Sequence, residues 1–178
     1  ERALGSAARC GQSAPGIAHM WHMSGHTYSK LKRYDDAAWQ QEASARVDHA
    51  HMMRYWVLPD QIHNYAHNEE WLIRTWNEQG RAKDGIALAK ALIANPRHPE
   101  LNTLDKGSSS AAYGRTRLLD TLILWELWPE LLALNGGPYL KPVVQTAFEA
   151  NRLRAIGIAH YAQANSKALA TTIAELEA

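Results

Sequence analysis

The chain has 178 residues and nine histidines, and seven of these, His19, His22, His26, His49, His51, His63 and His67, fall between positions 19 and 67. In His19-Met20-Trp21-His22-Met23-Ser24-Gly25-His26 three imidazoles recur at i, i+3 and i+7, which on a helix is one face. Lys30 extends that face by one turn. His63 and His67 are spaced i, i+4, and Glu70 and Arg74 continue their face. Imidazole nitrogens ligate zinc, copper and nickel, and pairs at these spacings can chelate an ion from one side of a helix. The metal reading takes His19, His22, His26, His63 and His67 as ligands and zinc or copper as the ion. Met20, Met23, Met52 and Met53 each follow a histidine directly or one residue later, and mixed His and Met ligation would favour copper(I). Met20 and Met23 are nevertheless expected to point at the helix partner as core. Two other readings use the same residues. The imidazoles can hydrogen-bond one another and nearby backbone as a polar floor. Alternatively, Lys30, Arg74 and the imidazoles can recognise a carboxylate or a peptide.

Residues that would turn these histidines into a catalytic site are missing. Asn64 and Tyr65 stand between His63 and His67 where a zinc peptidase motif carries its glutamate, and Glu69 and Glu70 follow at no catalytic spacing. There is no Gly-x-Ser-x-Gly and no Walker loop. An enzyme is thus the less favoured class. Cys10 is a single thiol with no motif around it, so no internal disulfide and no Cys-x-x-Cys site can form. Lys106-Gly107-Ser108-Ser109-Ser110 reads first as a helix cap and only second as an anion site. Tyr113, Arg117 and Asp120 share one helical face, and Glu149 and Arg152 make an i, i+3 surface pair.

Helices must position these side chains. Apolar residues make up 46% of the chain and charged residues 21%, a folded rather than disordered composition. Nineteen basic residues against 18 acidic ones, net +1, give no electrostatic case for nucleic acid or an anionic membrane. No apolar run approaches the roughly 20 residues of a membrane span. The chain starts at Glu1, which reads as a processed N-terminus or a fragment, and one thiol leaves the compartment unassigned. Gly5, Gly11 and Pro15 among small residues suggest a loose, extended lead-in over 1–15. Helical patterning then covers about 16–31, with Ile17, Met20, Met23, Tyr28 and Leu31 near one side. It resumes over about 34–55, 61–78, 82–94, 109–126, 128–135, 143–163 and 166–177. Asp60 looks like the N-cap of the third of these segments. No alternating strand pattern is present.

Gly25-His26-Thr27-Tyr28-Ser29-Lys30-Leu31-Lys32-Arg33-Tyr34-Asp35-Asp36-Ala37 resembles the centre of a tetratricopeptide repeat. That family places a small residue in the first helix, a tyrosine three residues on, a tight turn, and Tyr-Asp-Glu-Ala opening the second helix. Lys32 stands where the turn glycine belongs. Trp71 to Gly85 is a weaker copy that has the turn glycine, Gly80, and Tyr161 to Ala170 keeps the turn and a small residue. The resemblance implies an all-α, right-handed superhelical solenoid of about four antiparallel helix pairs, forming one domain over 16–178. It also implies a concave groove lined by His19, His22, His26 and Lys30 from the first pair, and by His67, Glu70, Arg74 and Asn77 from the second. Such grooves bind peptides or protein partners, and the ends of such stacks expose apolar faces through which copies can pair. A peptide-binding scaffold is the first expectation, and a metal-binding domain or metalloenzyme on the histidines the second.

Overall fold

The apolar patterning folds as helices throughout. The computed structural model describes residues 3–62, 64–104, 106–144 and 146–177. The described residues form α1 (Leu4–Ser13), α2 (Ala18–Lys30), α3 (Tyr34–Tyr55), a 3-10 turn (Pro59–Gln61), α4 (Tyr65–Glu78), α5 (Ala82–Ala94), α6 (Ser110–Leu124), α7 (Trp128–Leu134), α8 (Thr146–Ala162) and α9 (Ser166–Glu177). The only bridge among them is an isolated one, Asn135 to Leu140. No described helix is long and apolar enough to cross a membrane.

Helices that follow one another in sequence pack together: α1 on α2, α2 on α3, α3 on α4, α4 on α5, α7 on α8 and α8 on α9. The chain divides into two compact units, Glu1–Gly114 and Arg115–Ala178. In the first, Tyr28, Ala37, Leu72, Ile73, Ile86, Ala89, Leu92 and Ile93 are buried. In the second, Leu118, Leu122, Leu131, Leu140, Leu153 and Ile156 are buried.

Four turns share one geometry. Lys32, Gly80, Glu126 and Ala164 all have φ between +52° and +78°. In each turn the following amide donates to the carbonyl five residues back: Arg33 to Tyr28, Arg81 to Trp76, Leu127 to Leu122 and Asn165 to His160. This is the hydrogen bond of a Schellman helix stop, in which the left-handed residue frees the next amide to reach back and satisfy a terminal carbonyl. The first two turns match in their side chains too. Arg33 lies over Tyr28 at 5.0 Å and Arg81 over Trp76 at 4.5 Å. Arg33 also pairs with Asp36, and Arg81 with Asp84.

Four expectations are corrected. The lead-in over 1–15 is not extended, because Leu4–Ser13 forms α1. The small residues there allow close packing on α2: a Cβ at Gly11 would stand 2.3 Å from the Trp21 indole, and the Ser24 hydroxyl donates to the Ala7 carbonyl. Ile17, Met23 and Leu31 are exposed, so Tyr28 rather than a full apolar stripe anchors α2. The third helix starts at Tyr65, and Asp60 caps a different one: its Oδ1 accepts from the Ser110 amide and hydroxyl at the start of α6. Asn102 Oδ1 and the Ser109 hydroxyl accept the next amides, from Ala111 and Ala112. The expected serine cap is therefore present, reinforced by two side chains from earlier in the chain. Arg152 is buried, not a surface residue, and donates to Asn135 as well as to Glu149.

The shared turn sets a stability test. A left-handed residue with a Cβ costs roughly 1–2 kcal/mol, part of which glycine loses again through greater freedom in the unfolded chain. Ala164→Gly should therefore stabilise by about 0.5–1 kcal/mol, and Gly80→Ala should destabilise by about 1 kcal/mol or more. Chemical denaturation of the two variants against the parent checks both signs.

Candidate metal centre

α2, α3 and α4 meet on polar side chains. His22 (1% exposed), Gln41 (0%), Asn68 (0%) and Glu70 (3%) are all buried there. Burying so much polarity is costly unless every group is partnered, so the partners are informative.

His22 is the innermost ring. Its Nδ1 lies 2.9 Å from Gln41 Oε1, and the Gln41 amide nitrogen lies 3.4 Å from the His22 carbonyl. An amide oxygen only accepts, so His22 Nδ1 carries the proton and Nε2 presents a lone pair. His26 sits one turn on, its Nε2 2.7 Å from His22 Nε2, so His26 is the donor in that contact. His67 enters from α4, with ring centroids 4.8 Å from His22 and 6.3 Å from His26. One ligand atom from each of the three residues lies within 4.8 Å of the others. Two nitrogens bound at about 2.0–2.1 Å to one tetrahedral ion stand about 3.4 Å apart, so small ring movements bring the trio to an ion. His67 Nδ1 is 3.2 Å from Glu70 Oε1, within ion-pair distance, but it makes no aligned hydrogen bond.

Gln41 occupies a slot left by Gly25. A Cβ at Gly25 would stand 2.3 Å from Gln41 Nε2, so any side chain there would push out the group that orients His22. Trp71 walls the other side, edge-on to His26 at 4.2 Å, with the Arg74 guanidinium 3.9 Å over its ring. Tyr113 lies 5.9 Å from His67.

Burial disfavours the charged forms of His22 and His26. Burial pushes the His22 pKa down to about 4, and positive charge on His26, His67 and His19 adds to this against the Gln41 hydrogen bond. His26 is also pushed down, by burial first and then by His67, Lys30 and Arg74, with Glu70 opposing. Neutral imidazole is the form that binds metal.

The structure thus brings together His22, His26 and His67 from the expected set. His19 is next to them, stacked on His22 at 5.8 Å, but is exposed and outside the trio, its Nδ1 taken by the Asn64 amide at 2.9 Å. Ala18, the residue before it, is buried instead, and its carbonyl accepts from the buried Ser44 hydroxyl. His63 lies outside the described residues. Lys30 and Arg74 are exposed on the rim, and Asn77 is half-buried ten residues beyond His67 on α4. The Met20 and Met23 side chains are half-buried and exposed, respectively, rather than core. Arg117 and Asp120 pair with each other at 2.8 Å.

Gln41 was missed by the sequence reading, as was a group of buried acids on α3 and α4. Asn68 donates to Asp48 Oδ2 at 2.8 Å. The Tyr65 hydroxyl donates to Glu69, beside a cavity of about 270 Å³ that Glu42 and His49 also line. Burial raises the Asp48 pKa to about 6 against the Asn68 hydrogen bond, and raises that of Glu69 to about 7. Asp48 shares a stripe with Gln41, Ser44, Ala45 and Met52, all buried, and that spacing is the signal that marks it as inward-facing.

The chain matches no protein-family model, no curated protein and no solved structure.

Asp48 gives a pH test. Its folded pKa lies above the unfolded value of 3.8, so its contribution to stability is full below 3.8 and is lost as pH rises through about 6. Asp48→Asn keeps the acceptor for Asn68 without the buried charge. At pH 8 it should melt about 3–6 °C above the parent, on the order of 1–2 kcal/mol. At pH 4 the two should melt together. An equal gain at both values would mean that Asp48 is not the titrating group.

Proposed function

We propose that the first unit is a metal-binding domain whose ion is held by His22, His26 and His67. The observation that carries this is the convergence of three imidazole ligand atoms within 4.8 Å of one another on two different helices. Gln41 on His22 Nδ1 and Glu70 beside His67 Nδ1 support it, because ligating histidines commonly direct the second nitrogen to a carboxylate or carbonyl oxygen. The short His26 to His22 contact supports it too, since a cation could replace the shared proton. A polar floor of mutually satisfied side chains accounts less well for His67, whose buried Nδ1 lacks an aligned partner. Three nitrogen donors suit zinc, copper(II) or nickel.

The scaffold we infer is a tetratricopeptide-like stack of helix pairs. Its support is the turn shared by the four helix pairs, the close approach at Gly25 and the fully buried Ala37. In such a stack His19, His22, His26 and Lys30 would face the same groove as His67, Glu70, Arg74 and Asn77. The peptide-binding reading draws on that same groove.

Calorimetric titration with Zn(II), Cu(II) and Ni(II), paired with melting curves, tests the centre. His26→Ala and His67→Ala, both at half-buried positions, should each lose 100-fold or more in affinity while keeping the helical circular dichroism spectrum. His49→Ala should bind as the parent does, and His19→Ala should fall within a few-fold of it. Gln41→Leu should weaken binding by about 10–100-fold, as expected for a residue that orients a ligand. Absence of a bound ion and of any shift in melting with all three metals would sink the proposal.

A further inference from the structure

We infer that the ion at this centre keeps one exchangeable coordination position, and that the position takes a carboxylate docked by Arg74 and Lys30. This rests on the metal reading above. A closed structural zinc site has four protein donors, whereas three donors leave a position for solvent or substrate. Among the described residues the group contains only His22, His26 and His67. Glu70, whose Oε1 lies 3.2 Å from His67 Nδ1, is outside that group. His19 has its Nδ1 engaged by Asn64.

The open position has a direction. His22 is 1% exposed and held from behind by Gln41, so the inner side is closed. His26 and His67 are only half-buried, so access runs past them. Two cations stand on that side. Arg74 is exposed, its guanidinium carbon 3.9 Å from the centre of the Trp71 ring, which in turn touches His26. A guanidinium held over an aromatic ring keeps N–H donors at its edge, the fork that carboxylates match. Lys30 is one turn beyond His26 on α2 and is also exposed. Neither cation has an ion pair among the described residues. Both are close enough for their charge to act on His26. A carboxylate would give one oxygen to the ion and offer the other to the rim cations. A neutral amide of the same shape would lack the charge that both the ion and the rim attract.

Cobalt(II), whose visible bands report coordination, is the probe ion. The parent protein loaded with Co(II) is titrated with acetate, with N-acetylglycine as a mimic of a peptide C-terminus, and with acetamide as the neutral control. Saturable band changes are expected with the carboxylates and not with acetamide. Tighter binding of N-acetylglycine than of acetate points to a peptide end, and equal binding to a small free acid. The Lys30→Ala, Arg74→Ala double variant should still develop the Co(II) bands and need at least tenfold more carboxylate. Parental bands indifferent to both carboxylates overturn the exchangeable position while leaving the metal centre standing. An undiminished carboxylate response in the double variant overturns the role of the rim. Failure to develop any Co(II) bands in protein that also takes up no Zn(II), Cu(II) or Ni(II) overturns the metal centre itself.

Discussion

The hydrogen bond between His22 and Gln41 is the contact on which the geometry of the first unit turns. It forms because Gly25 has no side chain, which lets Gln41 lie flat against α2 and reach the imidazole. That contact fixes which nitrogen of His22 carries the proton. It thereby decides which nitrogen faces His26 and His67, and the direction of the shared proton follows. A larger residue at position 25 would do more than loosen the packing of α2 on α3; it would remove the group that fixes the tautomer of the deepest ring.

The interior where α2, α3 and α4 meet is built against the usual preference for apolar cores. His22, Gln41, Asp48, Asn68, Glu69 and Glu70 are all buried in it. The rest of the unit carries the apolar load, through Ile73, Leu92 and Ile93 in particular. Groups of opposite tendency share this interior. Burial makes His22 on α2 hard to protonate, while Glu69 on α4 holds its proton to about pH 7. Both effects have one cause, the removal of charge from water, acting on a base and on an acid.

Much of this was legible in the sequence. Helix pairs show as apolar periodicity broken by turn residues, and the single-face spacing of His22 and His26 follows from helical geometry alone. That His67 meets them depends on the crossing of α2 and α4, which spacing within one helix cannot supply; the repeat resemblance pointed to it. The same spacing rule put His19 with the others, yet only a side chain turned inward can join a buried cluster, and His19 lies at the exposed edge. Gln41 escaped notice because glutamine carries no motif, and its role exists only through a glycine on another helix. The turn at Lys32 shows a related limit. It adopts the backbone of Gly80 without being glycine, since the pull of the Arg33 amide on the Tyr28 carbonyl outweighs the cost of the Cβ. The helix over 4–13 was hidden because small residues read as flexible until the indole they pack against is in place.

The cap of α6 has a bearing on the order of assembly. Asp60 supplies an acceptor to Ser110 from fifty residues away, and Asn102 supplies another to Ala111 from nine residues away. The nearer bond closes a short loop, whereas the farther one exists only once α4 and α5 have folded back on themselves and returned the chain to the 3-10 turn. Closing a loop of that length costs entropy that local contacts cannot recover. The first turn of α6 is therefore completed by a residue that lies ahead of the helix pair preceding it. Folding of the chain acquires a direction from this, since the fully capped start of the third pair waits on the second.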